Sequence, residues 1–305
     1  MSQRKFIALG TASQVPTRAR NHNGYFVRWD EHGFLFDPGE GTQRQMTFAG
    51  VSASEITKIF ITHFHGDHCL GLPGILQRLS LDKIAHAVEV YYPISGQRYF
   101  ENLRDASVYH NTAEIVPRPI KQAGAIFADK NLRIETARLE HSTESWGYRF
   151  VEPDSVTMLP EKLAQLGVVG RDVGRLKANG KIEIDNQTIF LEDTSVFKAG
   201  QSFAFVMDTR VCQNAVDLAR GVDALICEST FLSSETAEAR EYGHLTARQA
   251  AEIAREANAK QLILTHFSGR YPNTEDFAIE AQTVFPNSIA ARDGQTVEFS
   301  RSRNL

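Results

Sequence analysis

The sequence predicts an α/β fold, with helices layered over a β-sheet core. Two observations carry that expectation. Short apolar runs rich in Phe, Ile, Val and Leu recur along the chain, each followed at once by polar residues and glycine. Helical patterns fall between some of these runs. At 305 residues, 42% hydrophobic and 23% charged, the chain suits one large layered domain or two small ones.

In chain order, the strand candidates begin with FIAL (6–9), YFVRW (25–29) and GFLFD (33–37), dense in residues that favour a pleated surface. KIFIT (58–62), VEVYYP (88–93) and LRIETARLE (132–140) continue the series. SFAFVM (202–207), ALIC (224–227) and QLILT (261–265) complete it. CQNAVDLAR (212–220) reads as a helix stopped by Gly221. HLTARQAAEIAREANA (244–259) is the clearest helix, with Thr246 and Gln249 spaced as a capping box. PEKLAQLGVVGRDVGRLKANGK (160–181) differs, with four glycines and little strand or core character. Its second half carries Arg171, Arg175, Lys177 and Lys181 against Asp172 alone, and by itself reads as a solvated excursion.

A net charge of −4 gives no global attraction to nucleic acid, so any basic footprint must be local. Three cysteines, Cys69, Cys212 and Cys227, form no CxxC pair and suit a reducing compartment. The opening MSQRKFIALG enters an apolar run too short for a signal peptide, and no stretch approaches the roughly 18 apolar residues of a membrane span. A soluble cytoplasmic protein is expected, with no membrane partner.

The chemistry lies where the strand candidates end. KIFIT leads into His63, His65, Asp67 and His68, ETARLE into His141, FAFVM into Asp208 and QLILT into His266. GFLF ends at Asp37 and ALIC leads into Glu228. Ligands collect at the carboxyl ends of strands in layered α/β proteins, so these distant groups can share one cleft. Five imidazoles and two carboxylates exceed the about four ligands of one tetrahedral ion. Two ions bridged by a carboxylate resolve the excess. Such ligands suit zinc, with manganese or iron as substitutes. Cys69 reads as a core residue, and His22, His32, His86 and His110 as surface residues.

HFHGDH with the strand-end His141, Asp208 and His266 resembles the metallo-β-lactamase superfamily. That resemblance implies an αββα four-layer sandwich over residues 1–305, with an inserted flexible arm at about 155–185. Within the superfamily the chain is similar to short-form ribonuclease Z, from FIALGTASQVPTRARN to LILTHFSGRY. FDPGEGTQRQM (36–46) resembles the family's first motif, with Pro38 where cysteine is frequent. PTRARN (16–21), holding Arg18, Arg20 and Asn21, resembles a loop that positions tRNA, with Arg18 where lysine is usual. CEST (227–230) and GHLT (243–246) resemble two catalytic loops, keeping Glu228, Thr230, His244 and Thr246 but having Leu245 in place of serine. SGRY (268–271) resembles a phosphate-holding loop through Arg270. The excursion resembles the arm that grips tRNA, through Arg171, Arg175 and Lys177, although the usual Gly-Pro step is missing.

The resemblance implies an endoribonuclease that removes the 3′ trailer from precursor tRNA, leaving a 3′-hydroxyl on the tRNA and a 5′-phosphate on the trailer. It implies a homodimer with two zinc ions per subunit. One ion would take His63, His65 and His141, the other Asp67, His68 and His266, with Asp208 bridging. Asp67 would orient the nucleophile, and His244, held by Glu228, would be the general acid. The rivals are a small-molecule hydrolase of the same superfamily (a lactonase, thioesterase or phosphodiesterase) and a catalytically inactive tRNA-binding protein.

Overall fold

The computed structural model describes residues 4–299. They divide into two compact units, the smaller comprising residues 128–133 and 151–201 and the larger the remainder. Among the described residues no helix is long and apolar enough to cross a membrane.

The larger unit is built on two seven-stranded sheets. In the first, strands run in the order Thr296–Glu298, Arg4–Gly10, Gly24–Trp29, His32–Phe36, Lys58–Phe60, Val88–Pro93 and Ile115–Ile120. In the second the order is Ser288–Ala290, Leu262–Thr265, Ala224–Glu228, Ser202–Val206, Ser145–Val151, Arg133–Leu139 and Gly124–Ala128. All nine strand candidates form strands, in both sheets.

Alternation along the strands separates the layers. Phe34 and Phe36 of one sheet pack against Phe150, Phe203 and Phe205 of the other, with Phe36 and Phe205 centroids 4.4 Å apart. Leu35, Ile59 and Val90 face the opposite way, where Leu72–Leu81 and Gln97–Arg104 cover them through Leu76, Leu79 and Phe100. On the second sheet, Ala204, Leu225 and Leu262 lie under the helices Gln213–Ala219, Ala247–Glu256 and Glu275–Gln282. The result is the αββα sandwich. The capping box of Thr246 and Gln249 is present, with Thr246 Oγ1 accepting from Gln249 N at 3.2 Å.

Within each sheet four neighbouring strands are parallel. Phe36 pairs with Phe60, so Asp37 and the 62–68 segment leave the first sheet side by side. Val206 pairs with Cys227, and Glu228 with Thr265, so Asp208, Glu228 and His266 leave the second sheet together. A parallel bridge between Ala12–Ser13 and Phe267–Ser268 ties the first loop of the chain to the loop after His266.

Several elements carry weak sequence signals. Ile115–Ile120 contains Pro117 and Pro119 and is tolerated because it is an edge strand, where a missing N–H costs no ladder bond. Thr42–Ala49 is short and buries only Thr42 and Met46.

The excursion expected at 155–185 lies inside the smaller unit, and the expectation that it lacks core character is corrected. Pro160–Gln165 and Arg171–Asn179 are helical, and Lys181–Ile184 forms a hairpin with Gln187–Phe190. The hairpin turns through Asp185 and Asn186, at φ 50° and 65°, the left-handed pair of a two-residue turn. Leu163, Val168, Leu176, Ile182 and Ile189 make a small core. No element supplies more than one of these residues, too few for a periodic signal. Arg171, Arg175 and Lys177 are exposed on the second helix, and Arg175 also bonds Asp172 at 3.0 Å.

Candidate metal centre

The strand ends bring His63, His65, Asp67, His68, His141, Asp208 and His266 together. His63 Nε2 and His141 Nε2 lie 3.0 and 3.3 Å from His65 Nδ1. A second group joins His68 Nε2 to His266 Nε2 at 3.2 Å, with Asp67 Oδ2 at 3.5 and 3.6 Å from them. Asp208 stands between. Its Oδ2 is 3.5 Å from His63 and 3.7 Å from His141, while Oδ1 is 3.4 Å from His68 and 3.1 Å from His266.

Outer partners fix which nitrogen each ring presents. Thr62 Oγ1 donates to Asp37 Oδ2 at 2.7 Å, so it accepts from His63 Nδ1 at 3.0 Å. Thr230 Oγ1 donates to Glu228 Oε2 at 2.7 Å and accepts from His266 Nδ1 at 2.8 Å. His68 Nδ1 donates to Asp37 Oδ2, and His141 Nδ1 to the carbonyl of Gly243, both at 2.9 Å. With Nδ1 protonated, these four rings offer the Nε2 lone pair to the centre. Asp208 Oδ1 is buried without a hydrogen-bond partner. That orphaned oxygen, set among converging imidazole nitrogens, fits divalent metal binding.

The electrostatics agree. Burial would raise the Asp208 carboxyl, but His266, His68, His63 and His244 hold it well below the usual carboxylate range. Burial and the neighbouring His68 push His63 well below the ordinary imidazole value, leaving it a neutral donor. The backbone is strained at three of these strand ends. Asp37, Asp208 and His266 have φ of 42°, 30° and 61°, a region unusual for residues with a Cβ. The chain turns sharply there.

Gly39 and Gly71 seat the histidine loop against the first sheet. A Cβ on Gly71 would come within 2.0 Å of the Gly39 carbonyl, and one on Gly39 within 2.2 Å of the Asp67 carbonyl.

A cleft of about 880 Å³ opens on the centre, lined by His65, Asp67, His141, Asp208, His244 and Arg270 among others. Asp67 Oδ2 accepts from Gln14 N at 3.0 Å and Asn23 Nδ2 at 3.2 Å. His244 Nδ1 is 3.0 Å from Glu228 Oε1, which leaves Nε2 for the cleft. Burial alone would lower its pKa, but Glu228 and Asp208 outweigh it and push it up to about 9. Arg270 lies over the Phe231 ring, 4.8 Å from its centroid.

Arg18 is exposed on the 16–21 loop. Arg20 and Asn21, expected to contact substrate, make hydrogen bonds within the chain. Arg20 is 8% exposed, and its Nη2 donates to the carbonyls of Ser268 and Tyr271 at 3.0 and 2.9 Å. Asn21 donates from its backbone to Asp293 Oδ2 at 2.6 Å and from Nδ2 to the Glu40 carbonyl at 2.8 Å. His22, expected at the surface, is buried with Nε2 3.0 Å from the Gln14 carbonyl. Cys69 is buried in the core, as expected. Arg171, Arg175 and Lys177 belong to the smaller unit.

The sequence signal for Asp37 is its strand-end position alone. Asn23, Thr62 and the Gly243 carbonyl had none, because their roles depend on contacts from elsewhere in the chain.

A family model for the metallo-beta-lactamase superfamily matches residues 17–157, and one for the beta-lactamase superfamily domain matches residues 186–267. The chain is 52% identical to ribonuclease Z of Nocardia farcinica, over 96% of both chains. The chain belongs to the ribonuclease Z family. The ribonuclease Z of Protochlamydia amoebophila is 50% identical over 99% of this chain and 98% of its own. Human tRNase Z, short form, shares the fold at a TM-score of 0.71 and 24% identity, over 97% of this chain and 99% of that one. The hydrolase activity expected from the sequence, tRNA 3′ processing by an endoribonuclease, is that of the family.

Two outcomes follow from the outer partners. Asp37→Asn keeps the shape but weakens the hold on His68 and Thr62, and should lower metal affinity about 10- to 100-fold in a chelator competition titration. In the metal-free protein, His244 should keep its proton until about pH 9. Its folded pKa lies above the unfolded value of about 6.5. The His244–Glu228 contribution to stability is therefore complete below the unfolded value and is lost as pH rises through the folded one. Histidine NMR titration of Glu228→Gln should show the His244 pKa falling.

Proposed function

We propose that this protein is a zinc-dependent endoribonuclease that cuts precursor tRNA at its 3′ trailer. The observation that carries this reading is the pair of ligand clusters flanking Asp208 beside the His244–Glu228 pair. His63, His65 and His141 would hold one ion, and Asp67, His68 and His266 the other, with Asp208 shared. Nitrogen and oxygen ligands favour zinc, with manganese or iron able to substitute. When bound, the ions would supply Lewis acidity and a water that loses its proton near neutral pH.

The chain's own groups do the rest. Asp67, held by Gln14 N and Asn23 Nδ2, orients the attacking water and can accept its proton. His244 Nε2 hands a proton to the departing ribose 3′-oxygen, while Glu228 fixes the ring through Nδ1. The tRNA leaves with a 3′-hydroxyl and the trailer with a 5′-phosphate. Arg270 and Arg18 hold phosphates near the cut. Arg171, Arg175 and Lys177 grip the tRNA backbone at a distance, as an arm inserted in a single catalytic domain. A cytoplasmic homodimer completes the reading, one subunit's arm serving its partner's site.

Incubation with 3′-extended precursor tRNA, with and without chelator, tests the activity. Trimming that chelator abolishes supports it. Binding without trimming would mean an inactive tRNA binder, and neither would mean a small-molecule hydrolase. Replacing Arg171, Arg175 and Lys177 together by alanine should raise KM for precursor tRNA and flatten the salt dependence of binding by about three phosphate contacts. A small phosphodiester losing as much turnover would refute the arm's role.

A further inference from the structure

The helix Thr236–Tyr242 ends on a tyrosine whose side chain is largely in solvent, at 54% exposure, although it lines the catalytic cleft. Other exposed aromatic side chains, Phe48, Tyr99, Phe190 and Phe197, do not line it. An aromatic face left open to water is unfavourable, and inside a concave cleft it is available to a ligand of the cleft rather than to a flat partner surface.

The ring is not loosely placed. It lies 21° from parallel to Phe231, with centroids 6.4 Å apart. Phe231 is buried, and the same ring packs against His244 at 6.1 Å and carries the Arg270 guanidinium at 4.8 Å. One phenylalanine therefore sets the spacing of an exposed aromatic face, an imidazole and a cation. Gly243, at φ 78°, turns the chain between Tyr242 and His244. A Cβ on that glycine would meet His141 Nδ1 at 3.0 Å, so the turn holds both to the centre.

We propose that Tyr242 is the stacking platform for the base on the 5′ side of the cut, the last nucleotide of the mature tRNA portion. Single-stranded RNA is held by an aromatic face for the base and cations for the backbone, and the Tyr242–Phe231–Arg270 group supplies both. The side of the cut follows from His244. The 3′-oxygen it protonates belongs to the 5′ nucleotide, and Phe231, which packs against both His244 and Tyr242, puts the tyrosine ring on that nucleotide's side. Stacking does not depend on base identity, so the platform fixes where the strand is cut without demanding a sequence. Tyr242 is a positioning residue that touches substrate away from the reacting atoms.

The inference rests on the ribonuclease reading, and a base-deletion cycle separates the two. Precursor tRNA is made with its natural bases, with an abasic nucleotide just 5′ of the cut, or with one just 3′ of it. Wild type, Tyr242→Ala and Tyr242→Phe are compared by kcat/KM on each. Tyr242→Ala should lose about tenfold or more on the natural substrate, and Tyr242→Phe should restore most of it. The 5′ abasic site should cost wild type a similar factor and Tyr242→Ala almost nothing further, whereas the 3′ abasic site should cost both enzymes equally. Equal further losses on the 5′ abasic substrate, or wild type indifferent to that lesion, would overturn the platform while leaving the ribonuclease intact. Wild type that cuts none of the three precursors takes down both.

Discussion

Removing a carboxylate from water without satisfying both its oxygens carries a cost of kilocalories, and an uncompensated case in a folded protein calls for a counter-charge. Asp208 is that case, 2% exposed with one oxygen toward each histidine group and Oδ1 unbonded. The surrounding imidazoles repel one another if protonated, so protons alone balance the site poorly. The arrangement is stable in the sense of a mould: the donor atoms are prepositioned at the cost of local strain at Asp37, Asp208 and His266.

Two buried carboxylates stabilise that mould by the same device used twice. Asp37 reaches His63 through the Thr62 hydroxyl and His68 directly. Glu228 reaches His266 through the Thr230 hydroxyl and His244 directly. Each carboxylate sits at the end of a parallel strand, one in each sheet. The two halves of the sandwich thus carry equivalent supports, and the difference lies in what the direct partner does. His68 is buried at the centre, whereas His244 lines the cleft.

The sheets were readable because Phe34, Phe36, Phe203 and Phe205 alternate with Leu35, Ala204 and Val206, a period of two that survives without tertiary information. The gathering of the histidines and aspartates was readable because strand ends in parallel sheets share one edge. The internal bonds of Arg20 and Asn21 were not readable, because a cation or an amide in a surface loop looks the same whether it faces solvent or a neighbouring carbonyl. The Ser268 and Tyr271 carbonyls that take Arg20 and the Asp293 carboxylate that takes Asn21 all lie some 250 residues or more away in the chain. The smaller unit's core stayed hidden for a related reason, since Leu163, Leu176 and Ile189 come from separate short elements.

His68 and His266 are 198 residues apart in the chain yet meet at 3.2 Å, and the first loop is stitched to the segment after His266. During synthesis the early histidines leave the ribosome long before the strands that bring Asp208 and His266 exist. The seven side chains therefore converge only once the last third of the chain has been made, and the cluster is a property of the finished fold.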